Sequence, residues 1–350
     1  MNYFDRHCNP CDAGKYSTKP QKIVFSALLF SAMVFLVRPS VSLAVDIDQY
    51  PVLVKLVEEM TDQDGYPREQ LNRVLKQANI QQTTIDLMNR RIEALPWYKY
   101  RKIFLNQNRI EKGVKFWNEN RLTLDRAYQK FGVPQAVIVA LIGIETDYGT
   151  YMGNKRVLDS LVTLSAEYPR RSTFFTSELR TFLNITRKEN IDPASVMGSF
   201  AGAIGIPQFM PTSYAAYSVD FNGNNQRDLV NETDDAIGSV ANYLKSHGWN
   251  HIQPIYASVT GPLSESAIKL IRGNAKLVHT PKQLIAAGVK FDADRSSDKI
   301  ALMSLQERQG NRYIVGFRNF YTITRYNPSV NYAMATAELA DSIVRARNND

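Results

Sequence analysis

The sequence predicts an α+β fold that consists mainly of helices, and three observations lead to this prediction. Apolar residues recur at helical spacing over residues 46 to about 249. Between residues 252 and 318 the pattern changes to short β-branched and aromatic runs separated by turn residues. Helical spacing then returns over about 330–347. With 350 residues and 44% hydrophobic composition, the chain is long enough for two or three domains.

The first 44 residues predict a secretory signal peptide that is removed from the mature protein. Three lysines precede an apolar run from Ile23 to Val37, which is shorter than the roughly 20 residues of a membrane span. Ser42 and Ala44 then supply the small side chains that signal peptidase requires. An uncleaved inner-membrane anchor is the alternative.

Both cysteines, Cys8 and Cys11, precede the apolar run, so we expect no disulfide and no lipid-attachment cysteine in the mature chain. Without residues 1–44 the chain keeps 37 Lys and Arg against 32 Asp and Glu, a net charge of +5 instead of +8. This charge suits an acidic polymer such as cell wall, membrane surface or nucleic acid, although an ordinary soluble surface explains it equally well. Export and the absence of a nucleic-acid motif argue against nucleic acid.

Residues 45–133 are predicted to be a helical domain. Two stretches place apolar residues on one helical face: Leu71, Val74, Leu75 and Ala78 after Pro67, and Phe116, Leu124, Ala127 and Tyr128 before Gly132. Residues 134–251 are again mostly helical, with "TDDAIGSVANYLKSHGW" as one helix that begins at an N-cap, Thr233, and stops at Gly248.

Residues 252–318 are predicted to form a small β domain, and residues 319–350 a return segment and C-terminal helix. The candidate strands are "PIYASVT", "GVKFDA", "KIALMSLQ" and "RYIVGF". In the last helix Met334, Ala337 and Ile343 share one side.

A carboxylate ends the most apolar helix of the chain. After Pro134, which suits a first helical turn, eight residues without a polar side chain, Val137 to Ile144, lead to Glu145. Glu145 lies at the edge of the core-facing side, and Gly149 marks the helix end, where the macrodipole disfavours negative charge. Desolvation and the dipole both favour the protonated form that a general acid requires. The alternative is a structural glutamate neutralised by an Arg or Lys elsewhere.

Glycoside hydrolysis ordinarily needs a second carboxylate opposite the first, and the sequence marks none clearly. Asp147 is closest, but at i+2 it points about 200° around the helix from Glu145. Asp159, Glu167 and Glu178 remain candidates, although nothing in their spacing distinguishes them. A single marked carboxylate indicates a mechanism in which the substrate supplies the second group.

A glycine-rich stretch, "GSFAGAIGIPQFMPTSY", runs from Gly198 to Tyr214. It lacks the preceding strand and the G-K-[ST] of a phosphate loop, so its glycines are expected to allow close approach of a ligand or helix. Ser199, Gln208 and Tyr214 are polar groups among aromatic and methionine side chains, a combination that holds sugars and other uncharged ligands. A buried helix–helix crossing is the alternative.

An acidic loop, "DFNGNNQRD", resembles the start of an EF-hand calcium loop because oxygens stand at positions 1, 3 and 5. Asn225 occupies position 6, where Gly is usual, and Asn231 occupies position 12, where Glu is usual. Asp235 closes the site only in a longer loop. The candidate calcium ligands are Asp220, Asn222, Asn224, Gln226 and Asp235. The alternative is a polar turn before a helix.

Six motifs, in order, resemble the lytic murein transglycosylase B family (glycoside hydrolase family 103): "GIETDYG", "LVTLSAEYPRR", "GSFAGAIGIPQFMPTSY", "DFNGNNQRDL", "DAIGSVANYLKSHGW" and "NFYTITRYN". The resemblance covers nearly all of the mature chain. It implies a lysozyme-like core flanked by a helical domain and a small β domain. Some relatives carry a lipidated cysteine that this chain lacks, so a soluble periplasmic form is expected.

The resemblance implies that Glu145 is the sole catalytic acid and base. It would protonate the β-1,4 oxygen that leaves N-acetylmuramic acid and then take the proton from that sugar's 6-hydroxyl, which closes a 1,6-anhydro ring. By the same match the glycan groove is lined by Ser199, Gln208, Tyr100, Tyr326, Asn327 and Tyr332, and the stem peptides meet Arg170 and Arg171. The acidic loop falls where the family carries an EF-hand-like calcium site, and the chemistry needs no cofactor.

Two rival functions stay open. One is a hydrolytic muramidase, in which water replaces the 6-hydroxyl, and the other is a non-catalytic peptidoglycan-binding module. The expected partners are peptidoglycan glycan strands and other cell-wall enzymes, with no nucleic acid, and the protein is expected to be a monomer.

Overall fold

Helices make up most of the computed structural model, which describes residues 45–89, 94–292 and 299–349. The predicted signal peptide, residues 1–44, lies outside these ranges. The first six helices are α1 (Pro51–Asp64), α2 (Arg68–Leu75), α3 (Gln82–Met88), α4 (Trp97–Phe104), α5 (Gln107–Glu119) and α6 (Arg121–Phe131). The helical character predicted for this part of the chain is therefore confirmed.

The buried faces of these helices follow the predicted pattern with one error. Leu71 and Leu75 of α2 are fully buried, as their spacing predicts. The second stretch is divided at Asn120, whose side chain donates to the Phe116 carbonyl at 2.8 Å and separates α5 from α6. The placement of Tyr128 on the buried face is wrong, since its side chain is 45% exposed.

The middle of the chain builds the core around its most apolar helix. The helices here are α7 (Gln135–Thr146), α8 (Val157–Glu167), α9 (Ser172–Lys188), α10 (Pro211–Tyr217) and α11 (Thr233–Ser246). Every residue of α7 from Ala136 to Ile144 is buried. Helices α5, α6 and α11 pack against α7. Burial of each aliphatic side chain contributes about 1.5–3 kcal/mol, so α7 is fixed on nearly all sides.

The predicted N-cap of α11 is wrong by one residue. The helix begins at Thr233, and Glu232 is the N-cap residue, without a side-chain capping hydrogen bond. The Glu232 carboxylate does not cap the helix because it accepts hydrogen bonds from the side-chain amides of Asn222 and Asn224, at 2.7 Å each.

Two small antiparallel sheets complete the fold. Strands β1 (Lys155–Arg156) and β2 (Met197–Gly198) pair beside the glycine-rich stretch. Strands β3 (Tyr256–Ser258), β4 (Ala301–Gln306) and β5 (Asn311–Gly316) form a sheet in the order β3-β5-β4. Helices α12 (Glu265–Ile268) and α13 (Pro281–Ala286) lie in the same part of the chain.

Three of the four strands predicted for residues 252–318 are present, and "GVKFDA" is the exception. Its described residues make a single bridge, between Lys290 and Thr260. Gly288, left-handed at φ 84, lies just after α13, and Val289 is buried. The Val289 side chain therefore packs into the core of the β unit, although the backbone of this segment forms no strand ladder.

Two C-terminal helices, α14 (Arg318–Tyr326) and α15 (Val330–Asn349), return the chain to the core. Helix α15 packs against α7, α5, α4 and α14, and it buries Met334, Ala337 and Ile343 as predicted. The described residues group into one unit, and the four-part domain division stays a prediction.

Within the described ranges, no single helix has the length and apolarity needed to cross a membrane. Helices α6 and α7 satisfy that test only when taken together, and the chain bends by 114° between them.

Candidate active site

Glu145 lies in the last turn of α7, half-buried at the edge of the core, where the sequence places it. The Tyr332 hydroxyl of α15 donates a hydrogen bond to Glu145 Oε1 at 2.5 Å. Tyr332 is itself 2% exposed. Because α7 is buried on nearly all sides and α15 packs against it, this pair is held by two fixed helices.

A second tyrosine joins this pair to the glycine-rich stretch. The rings of Tyr326 and Tyr332 stack with centroids 6.5 Å apart, and the Tyr326 hydroxyl donates to the Pro207 carbonyl at 2.5 Å. Burial, and then the Glu145 charge, raise the pKa of both phenols well above its usual value. Tyr100, buried on α4, adds a smaller contribution to the raised pKa of Tyr332. Both hydroxyls therefore stay neutral and keep a proton to donate.

The chain leaves α7 through an unusual turn. Asp147 and Tyr148 have φ values of 50° and 64°, and Gly149 follows at 82°. A left-handed residue other than Gly costs about 1–2 kcal/mol, so other contacts must offset the cost. Helix α5 supplies them: the Asp147 carboxylate forms ion pairs with Lys112 and Arg109, and the Tyr148 hydroxyl donates to the Arg109 carbonyl at 2.8 Å.

The glycine-rich stretch is bound to this turn through side chains. Thr146 Oγ1 donates to the Ile206 carbonyl at 2.9 Å. Gln208, left-handed at φ 51, donates from Nε2 to the carbonyls of Met152 at 3.0 Å and Gly205 at 2.8 Å. The end of α7 and the predicted groove residue Gln208 therefore form one connected structure.

Two further polar residues of this stretch hold backbone groups. Ser199 Oγ accepts from the Ala203 N–H at 3.0 Å, which shapes the loop. The Tyr214 hydroxyl donates to the Arg227 carbonyl at 2.5 Å, and burial raises the pKa of Tyr214. Tyr214 therefore ties α10 to the acidic loop.

The other carboxylates considered as partners of Glu145 have structural contacts. Asp159 is buried and forms an ion pair with Arg156. Glu178 is buried and accepts from the N–H and hydroxyl of Thr212, while desolvation raises its pKa. Burial, and then the neighbouring Glu167 carboxylate, raise the pKa of the Tyr50 side chain, so Glu167 lies beside that phenol. Each of these three carboxylates is therefore in contact with another group of the protein, as Asp147 is through its ion pairs with Lys112 and Arg109.

The remaining predicted glycan and peptide contacts lie on connecting segments. Arg170 and Arg171 form an exposed turn between α8 and α9, and the Arg171 guanidinium lies 4.2 Å from the Phe174 ring centroid. Asn327, half-buried, follows α14 directly beside Tyr326.

The acidic loop is ordered by two carboxylates with different surroundings. Asp220 accepts from the backbone N–H groups of Gly223 and Asn225 at 2.6 and 2.7 Å. Asp235 is fully buried, and its oxygens accept from the N–H groups of Phe221 at 2.7 Å and Asp228 at 2.9 Å. Asp235 therefore fixes the backbone of the loop from its buried side.

Glu232, which is half-buried, lies against this loop, since its carboxylate accepts hydrogen bonds from the side-chain amides of Asn222 and Asn224. Among the residues that the structure describes, no three His, Cys, Asp or Glu side chains converge as a metal site. The loop instead combines carboxylates with amide oxygens, which suit a hard cation such as Ca²⁺.

Sequence reasoning missed three residues of this region. Thr146 and Tyr148 flank Asp147, and both are visible in the motif "GIETDYG", but their partners on other segments are not. Glu232 stands at loop position 13, one place after the usual closing glutamate of an EF-hand loop. This near match is the sequence signal that marks Glu232 as a candidate ligand.

These features define a class of protein. A mainly helical core places one carboxyl group at the end of a buried helix, beside neutral phenol donors and a polar loop. Such a site suits acid catalysis on an uncharged polar substrate, as in glycan-cleaving enzymes with a lysozyme-like fold.

Comparison with known proteins makes the assignment specific. The transglycosylase SLT domain family matches residues 49–341. The chain is 38% identical over 313 residues to membrane-bound lytic murein transglycosylase B of Escherichia coli (strain K12), covering 86% of this chain and 85% of that protein. Two solved structures are similar. Soluble lytic transglycosylase SltB1 from Pseudomonas aeruginosa has a TM-score of 0.79 at 41% identity, with 84% of this chain and 98% of that chain covered. Escherichia coli Slt35 in complex with bulgecin A has a TM-score of 0.80 at 40% identity, with 88% of this chain and 97% of that chain covered.

The chain belongs to the lytic murein transglycosylase B family and has its lysozyme-like fold. It is a lytic transglycosylase that acts on peptidoglycan.

Proposed function

We propose that Glu145 is the sole catalytic acid and base, and that the enzyme cleaves the β-1,4 bond between N-acetylmuramic acid and N-acetylglucosamine. The observation that carries this proposal is the hydrogen bond from the neutral Tyr332 hydroxyl to Glu145 Oε1. This hydrogen bond fixes the orientation of the Glu145 carboxyl group at the end of α7. In the proposed mechanism that carboxyl group gives a proton to the leaving group as a general acid.

The first step transfers this proton to the glycosidic oxygen. The bond from the muramic acid C1 to that oxygen breaks, and the departing N-acetylglucosamine end gains a 4-hydroxyl. The acetamido oxygen of the muramic acid forms a bond to C1 and takes the place of a second protein carboxylate. Glu145 is now ionised, and the Tyr332 hydroxyl stabilises it through a charge-assisted hydrogen bond.

The second step reprotonates Glu145 with a proton from the substrate. Its carboxylate takes the proton of the 6-hydroxyl, O6 bonds to C1, and the acetamido oxygen is released, which leaves a 1,6-anhydro ring. An intramolecular attacker has a much higher effective concentration than water. One carboxyl group therefore completes the cycle without water, consistent with the structural contacts of Asp147, Asp159 and Glu178.

The glycan groove in this proposal runs past the tyrosines and the glycine-rich stretch. Tyr100, Tyr326, Tyr332 and Asn327 would form one side, and Ser199 and Gln208 the other. Pseudomonas aeruginosa SltB3, 27% identical with a TM-score of 0.72, was solved with a NAG-NAM-pentapeptide. In this chain the exposed Arg170 and Arg171 would meet the acidic stem peptides of such a substrate, because guanidinium groups pair well with carboxylates.

Analysis of the products tests the reaction. The mature protein is incubated with purified peptidoglycan, and the released muropeptides are measured by mass spectrometry. Anhydro-ended products support the proposal. Reducing-ended products would make the enzyme a hydrolytic muramidase and would require a water-activating group. Absence of any product would favour the non-catalytic peptidoglycan-binding module.

Replacement of Tyr332 by Phe tests the hydrogen bond that carries the proposal. The variant loses the donor to Glu145 Oε1, and we expect kcat to fall about tenfold, in line with a lost charge-assisted hydrogen bond. Muropeptide release from a soluble glycan fragment measures the effect. Tyr128→Phe, on an exposed tyrosine, serves as the control. An unchanged kcat in Tyr332→Phe would contradict the assigned role.

The acidic loop supports a structural calcium site in this proposal. Slt35 of Escherichia coli, 39% identical, has been solved in complex with calcium. Here Asp220 and Glu232, the amide oxygens of Asn222 and Asn224, and Gln226 would hold the ion. Glu232 replaces Asp235 as the closing carboxylate, because Asp235 is fully buried whereas the Glu232 carboxylate lies against the side chains of Asn222 and Asn224. The ion would stabilise the loop and takes no part in the reaction.

Thermal unfolding tests the calcium site. A ligand that binds only the folded protein stabilises it by about 2.7 kcal/mol at 100 times its Kd. We expect Ca²⁺ to raise the Tm of the mature protein and to have little effect on Glu232→Gln. Glu69→Gln, on an exposed residue of α2, should respond as the unmodified protein does. A Tm of the unmodified protein that does not depend on Ca²⁺ would contradict the site.

We further propose that the protein acts in the periplasm as a soluble or peripheral monomer, exported by the segment of residues 1–44. Its basic mature charge favours the acidic wall polymer and other cell-wall enzymes as partners. Cell fractionation with an N-terminal sequence of the mature protein distinguishes cleavage after Ala44 from an uncleaved membrane anchor.

A further inference from the structure

The ring of Tyr148 lies in a slot between α5 and α7 whose walls are two glycines. A Cβ atom on Gly143 would stand 2.6 Å from the Tyr148 Cζ, and one on Gly113 would stand 2.6 Å from the hydroxyl oxygen. Atoms do not approach this closely without displacing one another, so a larger residue at either position would move the ring. The ring also packs 5.6 Å from that of Phe116, and the hydroxyl is bound to the Arg109 carbonyl.

This slot fixes the turn that ends the catalytic helix. A tyrosine at φ 64 next to an aspartate at φ 50 persists only where the surroundings determine the conformation. Both residues are bound by the same helix, α5: Asp147 through Lys112 and Arg109, and Tyr148 through its ring and hydroxyl. Glu145 precedes them by two and three residues, so the position of its backbone depends on this anchorage.

We propose that Tyr148 is a positioning residue for the reaction: its ring and hydroxyl hold the last turn of α7 against α5 and so keep the Glu145 carboxyl group at the Tyr332 hydroxyl. The inference rests on the proposed role of Glu145. A displacement of about 1 Å at a reacting group lowers a rate by about 100-fold. The slot therefore affects the chemical step although Tyr148 takes no part in proton transfer.

Steady-state kinetics on a soluble glycan fragment tests the inference at a temperature at which all variants are folded. For Tyr148→Ala we expect kcat to fall about 100-fold, and for Tyr148→Phe, which keeps the ring, about threefold to tenfold. KM should change by less than about twofold in both, since the interaction acts on the reaction and leaves glycan binding intact. Gly143→Ala, which displaces the ring from the other side, should resemble Tyr148→Ala.

The matched control separates positioning from general destabilisation. Val315→Ala removes buried methyl groups from the core of the small sheet, which packs apart from this slot, and should lower Tm without changing kcat. The inference is overturned if Tyr148→Phe and Tyr148→Ala lower Tm but keep kcat, as this control does. If Tyr148→Ala does not fold, the milder Tyr148→Phe still decides between these results.

Coupling to the catalytic pair gives a further test. If Tyr148 acts through the contact between Glu145 and Tyr332, the loss of kcat in Tyr148→Phe should shrink in a Tyr332→Phe background. Fully additive losses would overturn the inference. A Glu145→Gln variant that remains active would instead refute the proposed role of Glu145. The Tyr148 variants cannot produce that result, so failure of the inference and failure of the proposed function are distinguishable.

Discussion

Replacement of Glu145 by Gln is expected to abolish release of anhydro-muropeptides while leaving the protein folded. Gln keeps the size of the side chain and can still accept from the Tyr332 hydroxyl, but it can neither give nor take the proton. General acid and general base catalysis each contribute about 10²–10⁴-fold. Because one residue serves both steps in the proposed mechanism, we expect kcat to fall at least about 10³-fold. Mass spectrometry of the released muropeptides measures the loss.

The matched control is Glu58→Gln, which makes the same chemical change on an exposed residue of α1. It should leave both the products and the rate unchanged. Circular dichroism and Tm show whether Glu145→Gln is folded. A folded Glu145→Gln that still releases anhydro-ended products would mean that another group supplies the proton, and the assignment of the site would have to be abandoned.

The second large effect is expected for Gly205→Ala, in the glycine-rich stretch. Gly205 has φ 73, and a Cβ atom there would lie 2.3 Å from the backbone carbonyl oxygen of Leu229. The left-handed conformation alone costs about 1–2 kcal/mol. The steric overlap with backbone, which cannot rotate away, brings the expected loss in free energy of unfolding to about 4 kcal/mol.

Urea denaturation measures this loss, with Gly65→Ala as the matched variant. Gly65 ends α1 with φ 59, and a Cβ atom there would meet nothing within 4 Å. Gly65→Ala should therefore cost about 1–2 kcal/mol from its conformation alone. Equal losses in the two variants would show that the Leu229 backbone moves away at no cost in free energy, and that the glycine-rich stretch is loosely packed at this point.

The features that the sequence predicted are those in which residue type and local spacing determine the structure. The apolar run before Glu145 lies between Pro134 and Gly149, which favours a buried helix, and a carboxylate at its end departs from the pattern enough to be noticed. The short β-branched and aromatic runs between turn residues likewise predicted three of the strands. Tyr128 was placed wrongly because spacing identifies a helical face but not how far the core extends beneath it.

The parts that escaped prediction depend on contacts between distant segments. Tyr148 is an ordinary tyrosine in the sequence, and its slot exists only because Gly113 and Gly143 face each other across two helices. Glu232 was overlooked because the loop was compared with an EF-hand of standard length, in which position 12 closes the site. The roles of Ser199 and Gln208 as glycan contacts stay predictions, and the structure adds the backbone groups that each of them binds.

The position of α15 has a consequence for the timing of activity. Glu145 and Tyr332 stand 187 residues apart in the chain, and the ribosome makes α7 long before it makes α15. A nascent chain, or one cut by a protease ahead of α15, carries the proposed acid without its hydroxyl partner and without the helix that packs against α7. The site proposed for peptidoglycan cleavage is therefore complete only once the C-terminal helix has been made and has folded.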